Sequence, residues 1–136
     1  YTVNVEAFTI VKTWTLTVDT SALASGDVIG DTEVMTDVFR NADDSGVLIS
    51  LTAIDKADQG TAIDVLFFDA NVSLGTENSA PSISDANSLN ILGEVVIDAA
   101  DWKDMGGNRY ACKTGKPVRI VHFDGSIERR IPIVKS

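Results

Sequence analysis

The stretch Ile63-Asp64-Val65-Leu66-Phe67-Phe68-Asp69 constrains the fold more than any other part of the chain. It is the densest apolar run, filled by β-branched and aromatic residues. Turn-forming segments flank it, Asp55-Lys56-Ala57-Asp58-Gln59-Gly60 before and Asp69-Ala70-Asn71 after. A short run bounded by breakers predicts a strand buried on both faces, although periodicity alone also admits a short buried helix. The expectation is a central strand with the rest of the core built around it.

Other stretches carry the same β character. Phe8 to Val18 places apolar residues at 8, 10, 14, 16 and 18 with threonines between most of them, the period of a strand with one wet face. Thr20 to Asp31 breaks this pattern and reads as a loop, or as two turns around a short Val28-Ile29 contact. Thr32 to Arg40 predicts a strand, Asn41 to Gly46 a turn, and Val47 to Ile54 another strand. After the central run, Ala70 to Ser82 is polar and irregular. Ser84 to Gly93 predicts one short helix, with Ser84 as N-cap, Leu89 and Leu92 inward and Gly93 as its stop. Glu94 to Ile97, Arg109 to Lys113 and Val118 to Phe123 follow as strands. Asp124-Gly125 is a hairpin signal, and Ser126 to Val134 the return strand, which Pro132 assigns to a sheet edge because proline has no N–H for a ladder. Turns every 8–14 residues are the spacing of a sandwich or barrel. The expected fold is all-β, a jelly-roll-like β-sandwich of about eight or nine strands with one short helix.

At 136 residues the chain fits a single domain, residues 1–136. That length buries enough surface to fold without disulfides or metal. Cys112 is the only cysteine, so no internal disulfide can form, and it reads as a small buried hydrophobe. No apolar run approaches the roughly 20 residues of a membrane helix. No signal-peptide pattern opens the sequence, and since it starts on Tyr1 that says nothing of what precedes it. The net charge of −9 is uneven: residues 1–100 hold 16 acids and 3 bases, residues 101–136 hold 4 acids and 8 bases. An acidic body repels phosphate, so nucleic acid is not an expected partner. The basic C-terminal segment either neutralises its own domain or docks on an acidic partner.

Few residues suggest chemistry. His122, with Asp124 on the same face of a strand, could mimic a base and its orienting acid, but the convergent groups of an active site are missing from the sequence. Asp27/Asp31, Asp43/Asp44 and Asp98/Asp101/Asp104 offer oxygen ligands without the spacing of a calcium loop, and aspartates at turns ordinarily bind nearby backbone. Asn71-Val72-Ser73 is formally a glycosylation sequon. No catalytic residue, cofactor or metal is expected. Trp102 with Met105, and the pair Arg129-Arg130, are residue types favoured at protein interfaces, and also what a core tryptophan and two solvated arginines would look like.

Three stretches together resemble a known family. They are Ser21 to Asp31 (SALASGDVIGD), Val65 to Ser73 (VLFFDANVS), and Ile83 to Ala86 continuing through Ile91 to Ile97 (ILGEVVI). In order and over roughly residues 20–97, they resemble the cement or decoration proteins that coat the heads of tailed bacteriophages. The part from about Ala99 onward matches less well. The resemblance implies a β-sandwich or jelly-roll domain on the outer surface of the virion capsid. It would bind the major capsid protein, lock the shell and self-associate, as a homodimer or a trimer. It implies no enzymatic activity and carries no residue-level binding motif. Trp102, Arg129 and Arg130 are the residues expected at such an interface. The alternative is a carbohydrate- or receptor-binding sandwich of a phage tail or cell surface, against which the aromatic content of 7% weighs.

Overall fold

The computed structural model describes residues 9–16, 21–35, 38, 45–114, 118–121 and 129–135. It is an all-β arrangement of three small, open sheets with one short helix. In chain order the strands are β1 (Val28–Met35), β2 (Ser45–Val47), β3 (Ser50–Asp55), β4 (Ile63–Phe68), β5 (Ile91–Ile97), β6 (Lys103–Asp104), β7 (Arg109–Thr114), β8 (Arg119–Val121) and β9 (Arg129–Lys135). The helix α1 (Asp85–Ser88) precedes β5, and a 3-10 turn, Ala99–Asp101, follows it. The sheets have the orders β1-β9-β4-β5, β2-β8 and β3-β7-β6, and every pairing is antiparallel.

The apolar run forms β4, an interior strand of the four-stranded sheet, and it is covered on both faces. Val65 and Phe67 join Met35, Val95 and Val118 in one buried cluster, against which Leu48, Leu51, Ile63 and Leu92 pack. Phe68 belongs to a second cluster with Val28, Val72 and Leu74, extended by Leu66, Ala70 and Ile83. The irregular segment after β4 thus folds back over the sheet and buries the face that the smaller sheets leave uncovered. It is held there by backbone bonds from Val28 N–H to Ser79 O and from Ser82 N–H to Leu74 O.

Several expectations need correction. Residues 9–16 alternate in polarity but form no strand, and Val11 is 85% exposed. Alternation marks a chain that could lie on a core, but a strand also needs a hydrogen-bonding neighbour. Val28-Ile29 opens β1 and is no loop contact. The segment read as one strand from Val47 is two, β2 and β3. Opposite it, four residues separate Thr114 from Arg119 while two separate Val47 from Ser50, so the ribbon kinks, with Leu48 N–H still bonded to Val118 O.

The helix is shorter than expected. Ser84 caps it, its Oγ accepting from Asn87 N–H at 3.1 Å, but α1 ends at Ser88 and Leu89 is 86% exposed. Leu92 and Gly93 belong instead to β5, because a four-residue helix has no stripe to bury and the next residues pair with β4 from Ile91 to Ile97, with an irregularity at Leu92. Cys112 is exposed, since it lies on the outward side of β7 while Ala111 beside it is fully buried.

The strand containing Pro132 is not at an edge. β9 lies between β1 and β4. On the β1 side the register passes from Glu33↔Ile131 to Gly30↔Ile133 with an irregularity between. On the β4 side it passes from Phe68↔Arg130 to Val65↔Ile133. Pro132 falls where the β1 ladder is irregular, while the β4 register runs on unshifted past it, and such an irregularity is the other setting in which a sheet tolerates proline.

Candidate interaction surface

The best-defined surface among the described residues lies where β3, the loop after it and β7 meet. The chain must turn sharply between β3 and β4, and Asp55 organises that turn. Its carboxylate accepts from the N–H groups of Ala57 at 2.9 Å, and of Gln59 and Gly60 at 2.8 Å each. Asp58 and Gly60 both take left-handed backbone angles, φ 57° and 63°. Asp tolerates this conformation because its short polar side chain can bond locally, and glycine because it has no Cβ.

Two long-range contacts fix the loop to the three-stranded sheet. Arg109 Nε donates to Asp58 Oδ1 at 2.7 Å. Trp102, half-buried, donates its indole Nε1–H to the carbonyl of Thr61 at 2.8 Å. The bond to Asp58 first, opposed next by burial and then aided by the negative charges of Asp58, Asp104 and Asp55, holds the Arg109 guanidinium above its ordinary pKa.

A second brace joins the 3-10 turn to β7. Asp101 Oδ2 accepts from the Asp98 N–H at 2.8 Å and from Lys113 Nζ at 2.9 Å. The Lys113 bond first, then the Asp98 N–H, hold the Asp101 carboxyl below the usual carboxylate range despite some desolvation. On the outward side, the Lys103 ammonium sits 5.9 Å from the centroid of the Tyr110 ring. These groups are ion pairs and carboxylates committed to backbone N–H groups, an arrangement that fixes the shape of a surface.

Of the residues expected at an interface, Trp102 lies on this surface with its N–H already engaged. Arg129 and Arg130 lie at the start of β9, opposite Met35 and Val34 of β1, with Arg130 also opposite Phe68 of β4. They are therefore on an interior strand of a different sheet, and the structure does not bring them together with Trp102 in a single strand ladder. His122, Asp124 and Asp43/Asp44 lie outside the described residues.

Of the other candidate ligands, Asp27 and Asp104 serve turns: Asp27 Oδ2 accepts from Ala24 N–H, and Asp104 Oδ1 from Gly106 N–H, while Asp31 lies on β1. Among the described residues no group of three or more His, Cys, Asp or Glu is placed to hold a metal ion. No described helix is long and apolar enough to cross a membrane. In the sequon, Asn71 is exposed and Val72 is buried, while Ser73 Oγ accepts from Gly75 N–H.

One feature went unread in the sequence. Val47, Ile49 and Ile54 stand out on the β2–β3 ribbon, 59%, 67% and 65% exposed, alternating with the inward Leu48 and Leu51. The signal was the absence of any charge from Ser45 to Ile54. Compared with family models, with characterised proteins and with solved structures, the chain matches none.

Proposed function

We propose that this chain is a cement or decoration protein of a tailed-phage head, bound to the outside of the capsid where it stabilises contacts between major capsid subunits. The observation that carries this reading is where the three resembling stretches lie. Residues 21–31 lead into β1, residues 65–73 are most of β4 and the start of its covering segment, and residues 83–97 are α1 and β5. They contribute Val28, Ile83, Leu92 and Val95 to the two buried clusters around Phe67 and Phe68, which supports reading the three stretches together. The finer architecture belongs to the same reading: a jelly-roll-like sandwich, the four-stranded sheet facing the β2–β8 and β3–β7–β6 sheets across the cluster of Val65, Phe67 and Val118.

Such a role asks for rigid contact surfaces, and the braced loop at Asp55–Thr61 supplies one. An acidic body with a basic C-terminal segment orients docking on a charged shell, since complementary fields act mostly on encounter and register. In this reading Trp102, Arg129 and Arg130 contact the capsid or a neighbouring copy. The test mixes purified protein with heads of its source virus that lack it, then sediments them and counts bound copies. Saturable binding at a fixed ratio to the major capsid protein, with greater heat resistance of the heads, is expected. Binding should weaken when Arg129 and Arg130 are both replaced by Ala. Failure to bind immature and expanded heads alike would overturn the proposal, and a single strong ligand on a glycan array would favour an adhesion module instead.

A further inference from the structure

An edge strand offers unpaired backbone groups to any other strand, and folded proteins usually blunt such edges with charge, proline, bulges or a covering segment. Among the described residues the edges are β1, β2, β3, β5, β6 and β8. β1 carries Asp31 and Glu33, has two register irregularities, and is tied at Val28 to the segment at Asn78 and Ser79. β5 presents the exposed Glu94 at its middle, β6 is Lys103-Asp104, and β8 carries Arg119.

Among the described residues, the ribbon formed by β2 and β3 is kinked between Val47 and Ser50 but has no other of these protections. From Ser45 to Ile54 it holds no charge and no proline. β3 pairs with β7 in unbroken register from Ser50↔Thr114 to Asp55↔Arg109, so no bulge twists it away. The first charge, Asp55, is turned into its own loop onto the N–H groups of Ala57, Gln59 and Gly60. Val47, Ile49 and Ile54 remain exposed along the ribbon.

We infer that Ser45–Ile54 is a self-association edge, at which two copies of this chain pair β3 with β3 antiparallel across a two-fold axis. Charge selects the occupant. Two copies of a chain with net charge −9 repel each other wherever their acidic surfaces meet, and least where the meeting strands carry no charge. A two-fold axis sets the same patch against itself, and an uncharged strand with one edge unpaired among the described residues is complementary to its own antiparallel copy. Pairing also brings the exposed Val47, Ile49 and Ile54 of both copies into one continuous outer ribbon, removing part of their apolar surface from water.

This geometry makes a prediction of definite sign. Attraction at a neutral edge is not ionic, whereas the repulsion between the two bodies is, so added salt strengthens the dimer. Docking the basic C-terminal segment of one copy on the acidic body of another would do the opposite.

The inference stands on the strand edge alone, so head binding and dimerisation can fail independently. Sedimentation of the full chain over a range of concentrations is expected to show a dimer, with an association constant that rises about three-fold or more between low and high salt. Thr52→Glu places like charges on the outward side of β3, opposite the exposed Cys112, and should reduce association at least about ten-fold with secondary structure retained. Hydrogen exchange on the unsubstituted protein covers the case in which that variant misfolds: amides of residues 50–54 should become protected as concentration rises. A monomer at every concentration, a dimer that weakens with salt, a Thr52→Glu dimer of unchanged strength, or no concentration-dependent protection at 50–54 would each overturn it.

Discussion

Arg109 on β7 reaches across to Asp58, Nε to Oδ1 at 2.7 Å, and its side chain closes over Gly60. A Cβ built on Gly60 would stand 3.0 Å from Arg109 Nη1 and 3.2 Å from its Cδ. The turn before the central strand is therefore shaped from both directions, by Asp55 from within and by Arg109 from the neighbouring sheet.

Gly60→Ala should destabilise the protein by about 1–3 kcal/mol, because φ of 63° is a left-handed conformation that alanine adopts only under strain. The crowding adds little, since the nearest atoms belong to a flexible arginine. In a urea titration the midpoint should fall with an unchanged slope. Arg109→Ala in the same background relieves the close contact but leaves the strain and removes the bond to Asp58, so it should recover none of the loss. Full recovery would mean that contact with Arg109, and not φ, excludes a side chain at position 60.

Asp101 gives a pH dependence. Its carboxyl titrates lower in the folded protein than in the unfolded chain because Lys113 and the Asp98 N–H both stabilise the charged form. The stabilisation is complete above the unfolded value of about 4 and is lost as pH falls through the lower folded value. Melting temperature followed from neutral pH downward should drop across that window. Asp101→Asn should begin lower at neutral pH and show a shallower fall, and parallel profiles for the two proteins would remove Asp101 from the account.

What could be read from the sequence follows from the range of each interaction. Ile63 to Phe68 announced itself because a run this apolar has few alternatives to burial, and the structure covers it on both faces. Ser84 was legible as an N-cap because the bond to Asn87 spans three residues. By contrast, the clamp between Asp58 and Arg109 spans 51 positions and leaves no local pattern. Thr9 to Leu16 shows that alternation alone does not make a strand, since nothing in it specifies the neighbour. Pro132 misled for a related reason: the rule that proline avoids interior strands holds for regular ladders, and the irregularity opposite it lies in β1, far off in the sequence. Arg129 and Arg130 were placed at an edge through that same proline, and their interior strand is the consequence.

Gly93 was expected to stop a helix, and its actual requirement is space. In β5 a Cβ at this position would lie 3.2 Å from Val118 Cγ1 and 3.4 Å from Cγ2. Val118 is 6% exposed and belongs to the cluster with Val65, Phe67 and Val95, so it has little room to yield. This contact is also where the four-stranded sheet meets the chain leading into β8, and a shift there would separate the two. Gly93→Ala should therefore cost about 1–3 kcal/mol through overpacking, measured by urea unfolding. Val118→Ala alone should also be destabilising, by leaving a cavity. The double substitution places the added methyl where the removed ones were, and should be more stable than the sum of the two losses by about 1 kcal/mol or more. Strict additivity would show that the two sheets do not bear on each other through these two residues.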